Sequence, residues 1–329
     1  MNRPRSLRFS SDGRRDGPRV VPALVAVWLV ACSSALVACS SASDAPTAEP
    51  DGGAPGNTPP DEAPATSADG GGDAGATTDG KAELGEVRFK IQLDYRYDRA
   101  GFFADPVRKQ ALEGACRIWG RLLADDFPAV PKGTYIKVRD PEKPNDPALA
   151  LTLDYEVDDL VLFVGSSDLP PGITGVSSPT AGLSGVADAT LAAALQKRFD
   201  ATPFQPWTAW VTFDSKTDFH FDPAPELGAA VPAGKLDFVS VALHEIGHAL
   251  GFGTADSFKS KITAGAFTGA KTVALFGAPM PLTADRGHVP NTTMSSGRRM
   301  LMDLSDGTGV RYLPTPLDQA VFEDLGLHF

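Results

Sequence analysis

Apolar and polar positions change period several times along this chain, and each change predicts an element. Residues 86–94 (EVRFKIQLD) alternate, as a half-buried strand does. Residues 105–127 switch to helical spacing, with Val107, Ala111, Leu112, Ala115, Cys116, Trp119, Leu122 and Leu123 on one face behind an Asp105-Pro106 start. Residues 133–140 (GTYIKVRD) predict a second strand, and the almost continuously apolar 159–165 (DLVLFVG) suits an interior one. Gly, Ser and Pro then dominate residues 166–190, which predicts loop, and 190–199 (TLAAALQKRF) fits a short helix or an irregular crossing segment. Residues 207–214 (WTAWVTFD) predict a strand at a sheet edge, bordering a cleft. A helix follows over 236–253 (LDFVSVALHEIGHALGFG). Its stripe is Leu236, Val239, Leu243, Ile246 and Leu250, Asp237 or Ser240 can cap it, and Gly251 and Gly253 offer a stop. A proline-started, glycine-stopped helix over 315–326 closes the chain. Strand, helix, three more strands and a long helix predict an α+β domain over residues 86–329.

Upstream the pattern is different. Six arginines within residues 1–19 precede the apolar run VVPALVAVWLVACSSALVAC, which has the layout of an export signal. Leu36-Val37-Ala38-Cys39 resembles a bacterial lipoprotein box, which implies a signal peptide over 1–39 and lipidation of Cys39; Leu29-Val30-Ala31-Cys32 matches equally well. That resemblance implies a lipid-anchored protein of the cell envelope, at the cell surface or in the periplasm. Residues 40–85 lack aromatic and nearly all large aliphatic side chains, so they cannot bury enough apolar surface to offset ordering entropy. They are predicted to be a disordered tether.

Composition narrows the function classes. A net charge of -11 argues against nucleic-acid binding, which needs a basic face. Two of the three cysteines, Cys32 and Cys39, lie in the leader, leaving only Cys116 in the globular part, so no internal disulfide framework forms there. Cys116 falls on an apolar helix face and reads as a small buried hydrophobe. A monomer is expected.

The chemistry concentrates in His244-Glu245-Ile246-Gly247-His248. Residues four apart share a helix face, so two imidazoles can grip one metal ion, with Glu245 placed to act on water as general base. A catalytic zinc usually has three protein ligands and an open position. Only three other histidines exist: His220, in a Phe-His-Phe strand context, His288, and the penultimate His328. Glu323 lies far along the chain in the closing helix. His288 is therefore the expected third ligand. A structural zinc needs no glutamate at that position and normally takes four protein ligands, so Glu245 favours an enzyme over a surface-displayed binding or adhesion module with a structural metal.

The stretch HEIGHALG resembles the metzincin metallopeptidases, whose pattern is HExxHxxGxxH; Gly251 matches the glycine, while Thr254 stands where the last histidine is expected. Leishmanolysin-like metzincins insert a segment after the glycine. His288 lies 40 residues beyond His248, so an insertion between about 252 and 287 restores the pattern; Asp256 is the alternative ligand that the resemblance implies, since some zincins use an aspartate near this point. The resemblance implies a zincin domain with a mixed twisted sheet, a backing helix, an active-site helix and a C-terminal helix. It also implies a methionine turn beneath the metal, for which Met300 and Met302 are candidates and Met302, in Leu301-Met302-Asp303, fits better. The implied activity is zinc-dependent endopeptidase chemistry on protein or peptide substrates. His244, His248 and His288 would hold Zn2+ and Glu245 would move the proton.

Overall fold

In the computed structural model the described residues are 37–40 (backbone only), 85–180, 182–183, 186–200, 202–303 and 307–329. Cys32 and almost all of the expected signal peptide and tether lie outside them, and of Cys39 only the backbone is described.

The strands and helices run β1 (Val37–Ser40), β2 (Ile91–Asp94), α1 (Pro106–Leu122), β3 (Tyr135–Val138), β4 (Leu149–Thr152), β5 (Leu160–Ser167) and β6 (Ile173–Pro179). They continue with α2 (Ala189–Asp200), β7 (Thr208–Asp214), β8 (Phe219–His220), β9 (Leu236–Asp237) and α3 (Phe238–Ala249). The chain ends with α4 (Asp256–Lys259), β10 (Ile262–Thr263), β11 (Ala266–Phe267), α5 (Ala270–Phe276), β12 (Met280–Pro281), β13 (Met294–Ser295), β14 (Arg298–Arg299) and α6 (Pro316–Asp324). This is an α+β chain with a mixed five-stranded sheet ordered β1-β6-β7-β5-β2. The strands β2, β5 and β7 are parallel, while β6 runs antiparallel to both β7 and β1. Among the described residues no helix is long and apolar enough to cross a membrane.

Local signals give the starts of α1, α3 and α6. Asp105 caps α1 through the amide of Val107, with Pro106 in the first turn. The closing helix α6 carries a full capping box, with Thr315 and Asp318 satisfying each other's backbone amides. Cys116 is buried in the core, as its position on the apolar face of α1 implies.

Three expectations change. The strand over 207–214 is not an edge. The seven residues of β7 are all buried, between β5 and β6. Its threonines look like a wetted face in sequence, but Thr212 is buried with its hydroxyl donating to the Pro141 carbonyl, 2.5 Å away, which removes the need for solvent. Residues 166–190 are not all loop, because β6 lies within them. Its sequence, ITGVSSP, is small rather than apolar, and it packs directly on α3, where Ser177 donates to the carbonyl of Glu245 at 2.6 Å. The expected strand over 133–140 shrinks to β3, which pairs with β4 in a hairpin apart from the main sheet.

Every residue of α3 is buried. One side meets β6 and β7, and another meets α1, where the Trp119 indole N–H donates to the Leu243 carbonyl at 3.0 Å. The entry to α3 is fixed electrostatically. Asp237 is fully buried and accepts from the Ser240 amide as N-cap. It also accepts two bonds from the Arg311 guanidinium, both 2.9 Å, while Arg311 reaches Asp222 at 2.8 Å. Replacing Asp237 by Ala removes the cap and leaves the largely buried Arg311 with only one of its two carboxylate partners, Asp222. The expected cost is about 3 kcal/mol of folding free energy, checked by denaturant unfolding of the two proteins.

Candidate metal centre

Helical spacing stacks His244 and His248 on one face of α3, and their ring centroids are 4.7 Å apart. After the helix the chain turns at Gly251, whose φ of 111° is open to glycine but not to a side chain with a Cβ. It then leaves on an excursion through α4, the three-stranded sheet β10-β11-β12 and α5. It returns so that Gly287 packs against Gly253; a Cβ on Gly253 would sit 2.7 Å from the Gly287 Cα. His288 follows and faces the helix pair, its ring centroid 5.2 Å from that of His244 and 4.9 Å from that of His248. His244, His248 and His288 are at most 2% exposed, and one ring nitrogen of each lies within 4.8 Å of the others. This buried group can hold a metal ion.

The far nitrogens of the rings explain the near ones. His244 Nδ1 lies 2.8 Å from the Leu301 carbonyl oxygen, and His248 Nδ1 lies 2.8 Å from that of Phe252. His288 Nδ1 is 2.8 Å from the Asp285 carboxylate. Each of these oxygens only accepts, so each Nδ1 carries the proton. The Nε2 atoms are then bare, and they converge: 2.9 Å between His244 and His248, and 3.2 Å between His248 and His288. Lone pairs so close repel unless a cation lies between them. Two nitrogens each about 2.0–2.1 Å from a tetrahedral zinc stand about 3.3 Å apart, close to what is seen. Burial, reinforced by the neighbouring imidazoles, lowers the His244 pKa to about 3 and holds His248 well below its ordinary value. Both rings are therefore neutral and ready to coordinate at physiological pH.

The other candidates go elsewhere. Asp256 is on the exposed first turn of α4, paired with Lys259, and is not in the histidine group. Glu323 pairs with Lys271, His328 bonds to Asp125, and His220 sits half-buried in β8. Thr254 uses its hydroxyl to cap the His248 carbonyl at 2.6 Å. Glu245 is fully buried next to the histidines in sequence, and β6 crosses it so closely that a Cβ on Gly175 would lie 2.7 Å from its Oε1. Met302 lies under α3, and a Cβ on Gly247 would stand 2.5 Å from its sulfur. The amides of Leu301 and Met302 are held by the buried Asp318 carboxylate, at 3.0 and 3.2 Å, which aims the Leu301 carbonyl at His244. Burial pushes the Asp318 carboxyl up, while its hydrogen bonds pull the other way. A second acidic group, Asp126, Asp158 and Asp159, has structural uses: Asp159 accepts the Lys90 and Phe127 amides, and Asp158 pairs with Lys90.

Sequence reasoning did not single out Gly175, Asp285 or Asp318. Asp285, three residues before the third histidine, had a local signal; the other two depend on which distant segments meet. No protein-family model matches the chain, and no curated protein matches it in sequence.

Two outcomes are expected. Gly247→Ala should destabilise the protein by about 1 kcal/mol, overpacking against Met302 outweighing the helix propensity gained. In a Met302→Ala background the same change should turn stabilising, which a double-mutant cycle reads directly. The neutral histidines also set a pH dependence. Their stabilising contribution to the metal-free protein is fully present above the unfolded pKa, about 6.5, and is lost as pH falls toward the folded value of about 3 for His244. Thermal unfolding of the metal-free protein should weaken below pH 6.5, and less so in a His244→Gln variant.

Proposed function

We propose that this chain is a zinc-dependent endopeptidase of the metzincin type, with a leishmanolysin-like insertion between the second and third ligands. The observation that carries the proposal is the convergence of the three Nε2 atoms at buried positions, with Glu245 immediately following the first histidine. Three imidazoles with no carboxylate among them suit zinc, and three ligands leave a fourth position for a reacting group. The methionine-turn role proposed for Met302 is supported by its sulfur packed beneath α3 at Gly247.

A zinc ion held by His244, His248 and His288 supplies Lewis acidity toward a water and a peptide carbonyl. The protein's own residues do the rest. Glu245 accepts the proton that the attacking water loses and delivers it to the departing amine nitrogen. Its burial withholds competing solvent from that carboxylate, which strengthens its interaction with a proton in transit. The Leu301 and Phe252 carbonyls and the Asp285 carboxylate keep the imidazole protons on the side away from the ion.

The peptide is proposed to bind along β6 rather than β7. The side of β6 away from β7 accepts an added antiparallel strand, since Val37–Ser40 of this chain pairs there, Val37 opposite Ser177 and Ala38 opposite Val176. A substrate taking that place would run past Gly175, over the Glu245 carboxylate. Export with lipidation at Cys39 and residence at the cell envelope belong to the same proposal, resting on the leader.

The test combines metal content with turnover. Wild-type protein should hold one zinc per chain and cleave an unstructured protein substrate. Glu245→Gln should keep the zinc and lose at least about 100-fold in kcat, the scale of a positioned general base. His288→Ala should lose both. A folded wild-type protein that takes up no zinc sinks the proposal, and so does a Glu245→Gln variant with full activity.

A further inference from the structure

The three imidazoles are not held alike. His244 and His248 stand on α3, and their Nδ1 protons go to main-chain carbonyls that no side-chain change removes. His288 stands on a turn, and its Nδ1 proton goes to a side chain, Asp285, at 2.8 Å. The same carboxylate organises the turn around it. Its Oδ1 accepts the Thr283 hydroxyl at 2.6 Å and the Gly287 amide at 2.8 Å. The Thr283 amide donates to the His288 carbonyl at 2.9 Å and closes the turn. Arg286 takes a left-handed conformation, φ 59°, to complete it, although it is not glycine. Beyond the turn, the Val289 amide donates to the Met302 carbonyl, so the far side of His288 is tied to the segment beneath α3.

We propose that Asp285 is the positioning residue of the metal centre: it fixes the tautomer and direction of His288 and thereby sets how tightly the third arm holds the ion. The inference rests on the metal-centre proposal above and adds to it a residue outside the ligand set. Its physical basis is threefold. An acceptor at Nδ1 keeps the lone pair on Nε2, facing the other two rings. A carboxylate there, unlike a carbonyl, adds a negative charge one imidazole away from a dication bound otherwise by neutral ligands, and raises the basicity of that imidazole. Finally, a single side chain ties the ring to residues 283 and 287, so that the ring is directed before any ion arrives. Asp285 touches neither substrate nor ion and acts through His288.

The experiment uses the full chain, with Asp285→Asn and Asp285→Ala beside wild type. Zinc affinity is measured by competition against a chromophoric chelator, zinc release by stopped flow, and thermal unfolding with the metal removed. Asp285→Ala should weaken zinc binding about 10- to 100-fold, mostly through faster release. Asp285→Asn should fall between, because an amide oxygen still accepts the Nδ1 proton but carries no charge. Because the same carboxylate holds the turn through Thr283 and Gly287, the metal-free melting temperature should fall as well, and the deciding readout is the zinc affinity of the folded fraction. A purely structural role would lower the metal-free melting temperature and leave that affinity unchanged. Either that result or equal zinc affinity in all three proteins overturns the proposal. If Asp285→Ala fails to fold, the Asparagine variant and the imidazole 15N shifts of the metal-free wild type decide. Those shifts must report the Nδ1–H form at His288. Wild-type protein that binds no zinc would instead overturn the metal centre itself, a result separable from a site that binds zinc indifferently to Asp285.

Discussion

Three imidazoles facing one another at buried positions are the constraint to which the rest of the domain answers. Their lone pairs repel when left alone, and burial keeps His244 and His248 from relieving that by protonation. The folded chain meets that cost by engaging each ring from behind, with an acceptor supplied by a different segment: residue 301, residue 252 and residue 285. Each segment in turn has its own anchor. Asp318 at the start of α6 grips the amides of Leu301 and Met302. The turn after α3 carries Phe252, and the Thr283 to His288 turn carries Asp285. Most of the second half of the chain therefore participates in aiming three nitrogens.

The parts legible in sequence are those whose information is local. The α3 motif is a spacing, and helix geometry converts spacing directly into a shared face. The α1 and α6 starts were readable because capping uses residues next to the helix they cap. His288 was reachable for another reason: with five histidines in the chain, elimination does what pattern cannot. What stayed hidden depends on partners far away in sequence. The strand β6 has no large apolar alternation because it presses on α3 at Glu245, and small residues are what that contact requires. The strand β7 was expected at a sheet edge, and nothing in its own residues shows that β5 and β6 flank it. Burial of Thr212 is tolerated by a carbonyl from residue 141, which nothing near residue 212 announces. Pairing of β3 with β4 rather than with the sheet is likewise a choice between distant partners.

The correction at β7 changes the functional geometry. A peptide laid along an outer β7 would be separated from α3 by the position that β6 occupies. With β6 outermost of the strands after residue 85, the added strand and the Glu245 carboxylate are neighbours across one backbone, and Gly175 is the residue whose missing side chain makes that proximity possible. Val37–Ser40 pairs antiparallel with the same strand, so an added peptide would have to take the place that β1 holds there. An edge that binds by main-chain hydrogen bonds discriminates weakly among sequences, so selectivity among peptides would have to come from side-chain pockets beside it.

The long excursion between the second and third histidines of the group raises an energetic question that its own packing answers. Closing a flexible loop of 40 residues rather than 6 costs about 1.7 kcal/mol more in chain entropy. That penalty applies to a loop without structure, and this one is built. Phe258 stacks on Phe267 at 4.6 Å and Phe252 lies 4.9 Å from Phe258, giving the excursion an aromatic core continuous with the end of α3. Its helix α5 is held by α6, where Asp324 accepts the amides of Lys271 and Thr272, both at 2.9 Å. The chain thus arrives at residue 283 already positioned, and the closure entropy falls on folding rather than on binding an ion. Only the last turn remains to be directed. On a helix the backbone would do that, as it does for His244 and His248; on a turn the task falls to a side chain, and Asp285 is the one placed to carry it.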